Sequence, residues 1–488
     1  MVAYPATIPN WVNGEETLSI SAESFNNLNP HTGEIICKVT SSNRADVHRA
    51  IEIAKAAQPA WAATPPVQRG LILHNIVRKM LDRQDEIAKI VAEETGKTYA
   101  ASFGETSGAV QCGLFYASEG QRLYGKTTTS SAVNKYAMTV RQPMGVAGLI
   151  VASNTPIANV AWKAFPALVC GNSVVLKAAE DAPATAWIFG QIAKEAGLSD
   201  GVFNILQGYG PNAGQPIVEH ENVDVISFTG SSRVGKLINE IAAKRLAKIS
   251  LELGGKNALI VCDDADIDNA VKWTVLSAFS NAGQRCASGS RVIIFKSVYD
   301  EFVRKLEAKT SEISMGVHDG AELGPVINER QLNNMVNTIQ VAVNQGATVV
   351  TGGSRYTAGE YAKGFYMQPT LITDVDPSAD ISCTELFGPI AILFRVNNYE
   401  EALAMANNSP YGLTACIHTK NYHRVMDFTT RVQTGVAVVN AGTYGSEPHM
   451  PFGGRRLSGN GTREPGTEAL DIYSDLKDVY MVIDPALV

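Results

Sequence analysis

The sequence has no CxxC and no closely spaced cysteines. Its seven, Cys37, Cys112, Cys170, Cys262, Cys286, Cys383 and Cys416, are scattered and odd in number. That argues against a disulfide framework or a thiolate zinc site and fits a reducing cytoplasm. The eight histidines form no HExxH or similar spacing, so no metal is expected. No apolar run is long enough for a membrane span. The opening Met-Val-Ala-Tyr-Pro has neither the basic nor the apolar region of a signal peptide. Positive charge is in deficit: 41 Lys and Arg against 48 Asp and Glu leave a net charge of −7. With no basic stripe, nucleic acid is not an expected partner.

What is present is a large globular chain. Its 488 residues have room for about three domain-sized units, and 45% of them are hydrophobic. The first quarter reads as helical, with apolar residues at helical spacing over Ala45–Ala63 and again from Leu71 to Val91, where Gly96 is a stop. From Gly145 the texture changes. Short apolar runs at Val146–Ala152, Ser173–Lys177, Val202–Leu206, Val223–Phe228 and Ile249–Leu253 alternate with helical stretches such as Thr185–Ala196 and Val234–Lys244. This rhythm predicts a parallel sheet covered on both faces, a doubly wound nucleotide-binding domain. A second α/β series starts near Ala258, with strands at Ala258–Cys262 and Arg291–Phe295. Later strands are expected at Thr348–Thr351, Ile390–Phe394 and Gly435–Asn440. Two pieces read as protruding strands, Val133–Gln142 and Val479–Ile483. Such edges are usually covered, often by another subunit.

Several residues stand out, each with a plainer alternative. Cys286 lies between a helical segment and a strand, and the adjacent Arg285 favours thiolate; taken alone, a cysteine is more often an inert buried thiol. Glu252, between two leucines before a Gly-Gly turn, suits a general base with a raised pKa, or else the exposed face of an edge strand. Phe228-Thr-Gly230-Ser231-Ser-Arg-Val-Gly235 links a strand to a helix whose first amides can hold a pyrophosphate. It is not the GxGxxG fingerprint, and neither is Gly208-Tyr-Gly210-Pro. Lys177 and Glu180 follow a strand's carboxyl end, where such sheets bind ligands; a solvated loop pair is the alternative.

Taken in order, Asn154, Lys177, Gly230 to Gly235, Leu-Glu252-Leu-Gly-Gly-Lys, Gly-Gln-Arg-Cys286, Glu385-Leu-Phe387-Gly-Pro, Asn407-Asn-Ser-Pro-Tyr-Gly-Leu413 and Pro451-Phe-Gly-Gly454 resemble the aldehyde dehydrogenase superfamily over nearly the whole chain. The resemblance implies an α/β, aldehyde dehydrogenase-like fold with three parts. These are a Rossmann-like cofactor domain (1–124 and 144–253), an α/β catalytic domain (254–455) and a small β oligomerisation element (125–143 and 470–488). It implies NAD(P)-dependent oxidation of an aldehyde to its acid, in a homodimer or homotetramer. Cys286 would attack the carbonyl, and Asn154 with the cysteine's own N–H would hold the oxyanion. The thiohemiacetal would give up hydride to leave a thioester, hydrolysed by water that Glu252 activates.

The cofactor residues implied are Gly230, Ser231 and Gly235 at the pyrophosphate, with Phe228 ending the strand before them. Lys177 and Glu180 fall at the adenine ribose, Gly210 and Ile150 on the adenosine side, and Glu385 and Phe387 at the nicotinamide ribose. Glu180 favours NAD, because a carboxylate accepts from a 2′-hydroxyl and repels a 2′-phosphate; Lys177 keeps NADP open. Where the family commonly reads Pro-Trp-Asn-Phe-Pro, this chain reads Ala152-Ser153-Asn154-Thr155-Pro156. Small polar residues replace both aromatics. With Arg285, Ser446 and Glu447 they point to a small or medium polar aldehyde, walled by Trp162 and Phe452. A CoA-acylating relative, which typically lacks Glu at position 252, and a non-catalytic descendant are the competing readings.

Overall fold

The computed structural model describes residues 4–487. The opening residues 1–3, on which the leader reading partly rests, lie outside them. Two seven-stranded sheets carry the molecule. In the first, five parallel strands run in the order Lys248–Leu253, Val225–Gly230, Val146–Ile150, Ser173–Lys177, Phe203–Leu206, and the antiparallel strands Asn10–Val12 and Glu15–Thr17 complete one edge. The strand order reverses between Val146–Ile150 and Val225–Gly230, where Phe228 pairs with Ile150. On the other side Ile150 pairs with Lys177. This is the switch point at which open parallel sheets bind ligands, beyond the strands' carboxyl ends.

The second sheet runs Thr348–Thr351, Thr370–Thr373, Ile390–Val396, Gly289–Phe295, Asn257–Val261, Thr414–His418, Val436–Val439, parallel except at its first strand. The chain passes from one sheet to the other through Gly254–Lys256, so the end of one sheet sits against the start of the next. The third sheet is antiparallel: Ser474–Val482 pairs with Lys135–Pro143 over nine residues, and Thr127–Thr129 adds to the far side.

The α/β alternation was legible, with boundaries displaced by a residue or two. The first quarter is only partly helical, because residues 7–40 hold five strands of two to six residues. Runs that short give alternation too few periods to register. Helix Pro156–Val169 escaped notice for another reason. Twelve of its fourteen residues are buried, so it has no polar face to set a period. The C-terminal strand is longer than Val479–Ile483, because its first residues, Asp475 to Asp478, are polar or exposed.

Candidate active site

Cys286 sits in the segment that enters strand Gly289–Phe295 from its amino end. Helix Ile267–Phe279 stops just before it. Asn281, Ala282 and Gly283 then take left-handed φ of 55°, 51° and 66° in succession. Such a run is strained for the first two residues, and at Gly283 a Cβ would stand 2.1 Å from the Gly388 carbonyl oxygen. Side chains pin the turn. Asn257 Nδ2 donates to the carbonyls of Cys286 (2.7 Å) and Ser288 (2.9 Å), Ser288 Oγ to Gly283 (2.9 Å), and Thr443 Oγ1 to Ala287 (2.6 Å). The thiol is partly exposed. Its pKa is pushed up to about 12, first by desolvation and then by the carboxyls of Glu385 and Glu252, against a smaller opposing pull from the Ala287 amide and Arg285. Arg285 thus acts in the direction expected from the sequence but does not win.

Asn154 lies between strand Val146–Ile150 and helix Pro156–Val169, and its Nδ2 donates to the Gln284 carbonyl at 3.0 Å. Two groups hold its backbone: Lys97 Nζ at 2.6 Å and Asn281 Nδ2 at 3.2 Å both donate to the Asn154 carbonyl. Lys97 is paired with Glu105, and Glu105 accepts the Ile157 N–H at the start of the following helix (3.1 Å). Burial drives the Lys97 ammonium's pKa down while Glu105 pulls it up.

Glu252 is near the end of strand Lys248–Leu253 and only 6% exposed, and among the described residues neither carboxyl oxygen has a hydrogen-bond partner. An unsatisfied buried carboxyl is costly as an anion. Accordingly its pKa is raised well above the usual range, first by desolvation and then by Glu464, with Lys163 and Arg463 opposing. Beside it lies a closed polar cluster. Lys163 Nζ meets Glu464 at 2.7 Å with both side chains buried, and Ser227 Oγ and Tyr473 OH also donate to Glu464, at 2.7 and 3.2 Å.

The predicted cofactor residues gather along the switch-point crevice. Ile150 and Phe228 are buried on adjacent strands. Gly230 ends its strand, and Ser231 caps helix Ser232–Ala243, its Oγ accepting from the Val234 amide. A Cβ at Gly235 would meet Leu253 at 2.6 Å, so helix and sheet pack too closely for any side chain there. Gly210 opens the turn Gly210–Gly214. Lys177 and Glu180 pair with each other. Burial raises the Glu180 pKa, but the Lys177 charge and hydrogen bond outweigh it and the net shift is downward. Glu385 accepts the Gly255 N–H at 3.0 Å, where a Cβ on Gly254 would stand 1.7 Å from its other oxygen. Desolvation raises Glu385 to about 7, against Gly255 and Lys256. Phe387 follows with a left-handed φ of 56°. Free first-turn amides, glycines at close approaches and a carboxylate held ionised fit a dinucleotide.

On the opposite side Trp162 and Phe452 face each other at 5.9 Å and pack with Cys286, Ala287 and Tyr444. Ser153 and Thr155 are partly buried beside Asn154. The Arg285 guanidinium lies over the Tyr444 ring at 4.5 Å. Ser446 and Glu447 are exposed, and Glu447 faces His449 at 3.4 Å in water. Sequence reasoning missed Asn257, Lys97, Glu105, Tyr444 and the Lys163–Glu464 pair. Only Asn257, directly after Gly-Gly-Lys, carried a local signal. Outside the site the fold gathers His48, Glu52 and His220 at the surface, with His48 Nδ1 2.8 Å from His220 Nε2, a grouping that no spacing announced.

Fold and site define a class: a two-sheet α/β protein whose dinucleotide-type crevice opens onto a cysteine flanked by a side-chain amide and an orphaned carboxyl. Residues 18–479 match the aldehyde dehydrogenase family. The chain is 37% identical over 478 residues to the alpha-ketoglutaric semialdehyde dehydrogenase of Bacillus subtilis, covering 97% of this chain and 98% of that one. It superposes on betaine aldehyde dehydrogenase from Staphylococcus aureus in complex with NAD+ with a TM-score of 0.96, at 30% identity over 98% of this chain and 95% of that one. An E. coli NADP dependent enzyme gives 0.94 at 34% identity, over 98% of each chain. The chain belongs to the aldehyde dehydrogenase family. It is an enzyme that oxidises aldehydes with a nicotinamide dinucleotide as acceptor.

Proposed function

We propose that the protein oxidises a small or medium polar aldehyde to its carboxylic acid, with NAD preferred to NADP, through a thioester on Cys286 that water hydrolyses. The observation that carries this reading is Glu252, a buried carboxyl without a hydrogen-bond partner whose charge reaches the thiol. A carboxyl left unpaired beside a nucleophile suits a group that must take a proton from water. A bound nicotinamide supplies the hydride acceptor. Asn154 and the Cys286 N–H donate to the developing oxyanion. Glu180 accepts from the ribose hydroxyls; the relatives include both an NAD+ complex and an NADP dependent enzyme, so the preference rests on this carboxylate. A bacterial relative named for a semialdehyde supports a polar substrate.

We assign residues 1–124 and 144–253 to cofactor binding, 254–455 to catalysis, and 125–143 with 470–488 to assembly as a homodimer or homotetramer. The cysteines stand singly in the fold, as suits a reducing cytoplasm. Replacing Cys286 with Ala should abolish turnover and keep NAD binding. Glu252→Gln should leave a single-turnover burst of NADH while steady-state turnover falls at least about a hundredfold. A Glu252→Gln enzyme with native turnover refutes the hydrolytic role, and an acyl-CoA product on adding coenzyme A favours the acylating alternative.

A further inference from the structure

Arg285 precedes the candidate nucleophile, and its guanidinium has no hydrogen-bond or ion-pair partner among the described residues. Its Nε is buried and unsatisfied, and the guanidinium lies over the face of Tyr444, 4.5 Å from the ring centroid. Stacking occupies the face of a guanidinium and leaves its N–H edge free, the geometry in which arginine receives a carboxylate in a fork. A half-buried cation without a counter-ion is costly, and proteins usually pair one. The other cations nearby are already engaged: Lys97 is neutralised by Glu105 and donates to the Asn154 carbonyl, and Arg463 donates to the carbonyls of Gly454 and Thr462. Glu252, with its raised pKa, resists ionising. Glu447 stands exposed at the rim facing His449. The apolar wall of Trp162 and Phe452 carries no charge. Of these cations, Arg285 is the one whose side chain donates to nothing among the described residues, and it adjoins the reacting thiol.

We infer that Arg285, held over Tyr444, is an anion subsite that takes the distal carboxylate of a short ω-carboxy aldehyde. This rests on the reading of Cys286 as nucleophile. A single guanidinium matches a single negative charge, which favours a carboxylate over a phosphate dianion. Arg285 and Cys286 are consecutive, about 3.8 Å apart at Cα, so the subsite and the thiol are held within reach of one small molecule.

The test compares succinic semialdehyde with butanal, its uncharged counterpart of equal carbon count, in the holoenzyme with NAD. Wild type should favour the semialdehyde at least about tenfold in kcat/KM. Arg285→Met should bring the two within about twofold, chiefly through a rise in the KM for the semialdehyde, and Arg285→Lys should keep part of the preference. A variant that lowers both substrates by the same factor would make Arg285 a partner of Cys286, and the subsite would be refuted. Betaine aldehyde or glyceraldehyde 3-phosphate outrunning the semialdehyde would refute it as well. Calorimetry with glutarate separates this claim from the catalytic reading. If no aldehyde turns over yet glutarate binds wild type and not Arg285→Met, the function falls and the subsite stands. If glutarate binds both alike, the subsite falls.

Discussion

The side-chain amide of Asn154 donates to the backbone carbonyl of Gln284, two residues before Cys286, at 3.0 Å. The bond ties the loop after the first sheet's interior strand Val146–Ile150 to the loop that carries Cys286. One amide hydrogen is used in holding position, and the other remains for an oxygen at Cys286. The Lys97 and Asn281 bonds to the Asn154 carbonyl fix the backbone from the other side. An oxyanion donor should be held before charge develops, and the role proposed for Asn154 is consistent with this.

Asn154→Ala should therefore lower kcat by about a hundredfold to a thousandfold, the usual cost of losing one such donor, with NAD affinity unchanged. Asn154→Asp should be no better, since it aims a charge at the oxyanion. A tenfold loss or less, in single-turnover kinetics, would place the stabilisation elsewhere.

The thiol's raised pKa has a definite sign. A thiol held up to about 12 by desolvation and by the Glu385 and Glu252 carboxyls is protonated at neutral pH, and only its thiolate attacks. Inactivation by iodoacetamide in the absence of cofactor should climb about tenfold per pH unit from pH 6 to pH 9, with no plateau. A rate that levels off near pH 7 would mean that Arg285 and the Ala287 amide outweigh desolvation. Cys286→Ala should remove the modification that tracks activity.

Glu180 should set cofactor choice. It is already ionised and paired with Lys177, so NAD asks only that the carboxylate also accept ribose hydroxyls. A 2′-phosphate would compete with it for Lys177. Glu180→Ala should reduce the ratio of kcat/KM for NAD over NADP at least about tenfold, chiefly through the KM for NADP. An unchanged ratio would remove Glu180 from the ribose.

How much of this was legible in the sequence follows the range of each interaction. Strand Ser173–Lys177 was read with its bounds intact, because a short apolar run ending in a charge is a local signal. Glu252 was suspected for a local reason too, a carboxylate between leucines. Its orphaned state was not legible, because it depends on Lys163 and Glu464, which lie 89 residues before it and 212 after it. Lys97 is likewise joined to Asn154 only by the fold. The left-handed run at Asn281–Gly283 is set by the tight approach of Gly388 and by Asn257, and Asn-Ala-Gly alone does not specify it. Glu447 illustrates the converse: its position in the motif suggested the pocket, and the fold leaves it in water.

The third sheet carries the last prediction. Strand Ser474–Val482 pairs with Lys135–Pro143 on one side only and is the edge of its sheet. Nine residues of free backbone are a template for another strand. The apolar surface agrees. Leu476, Tyr480 and Val482, two or four residues apart and so on the same face of the strand, are 55%, 59% and 74% exposed. Lys135 covers Tyr480 from one side at 4.0 Å without burying it. A monomer would leave this strip wet and its edge unpaired, and a second copy of the chain removes both costs. Wild type should sediment as a dimer or tetramer. Leu476→Asp combined with Tyr480→Asp should shift it to smaller species, with cofactor still bound, because these side chains lie outside the crevice. Wild type sedimenting as a monomer at micromolar concentration, or a double variant with unchanged mass, would refute the assignment of this sheet to assembly.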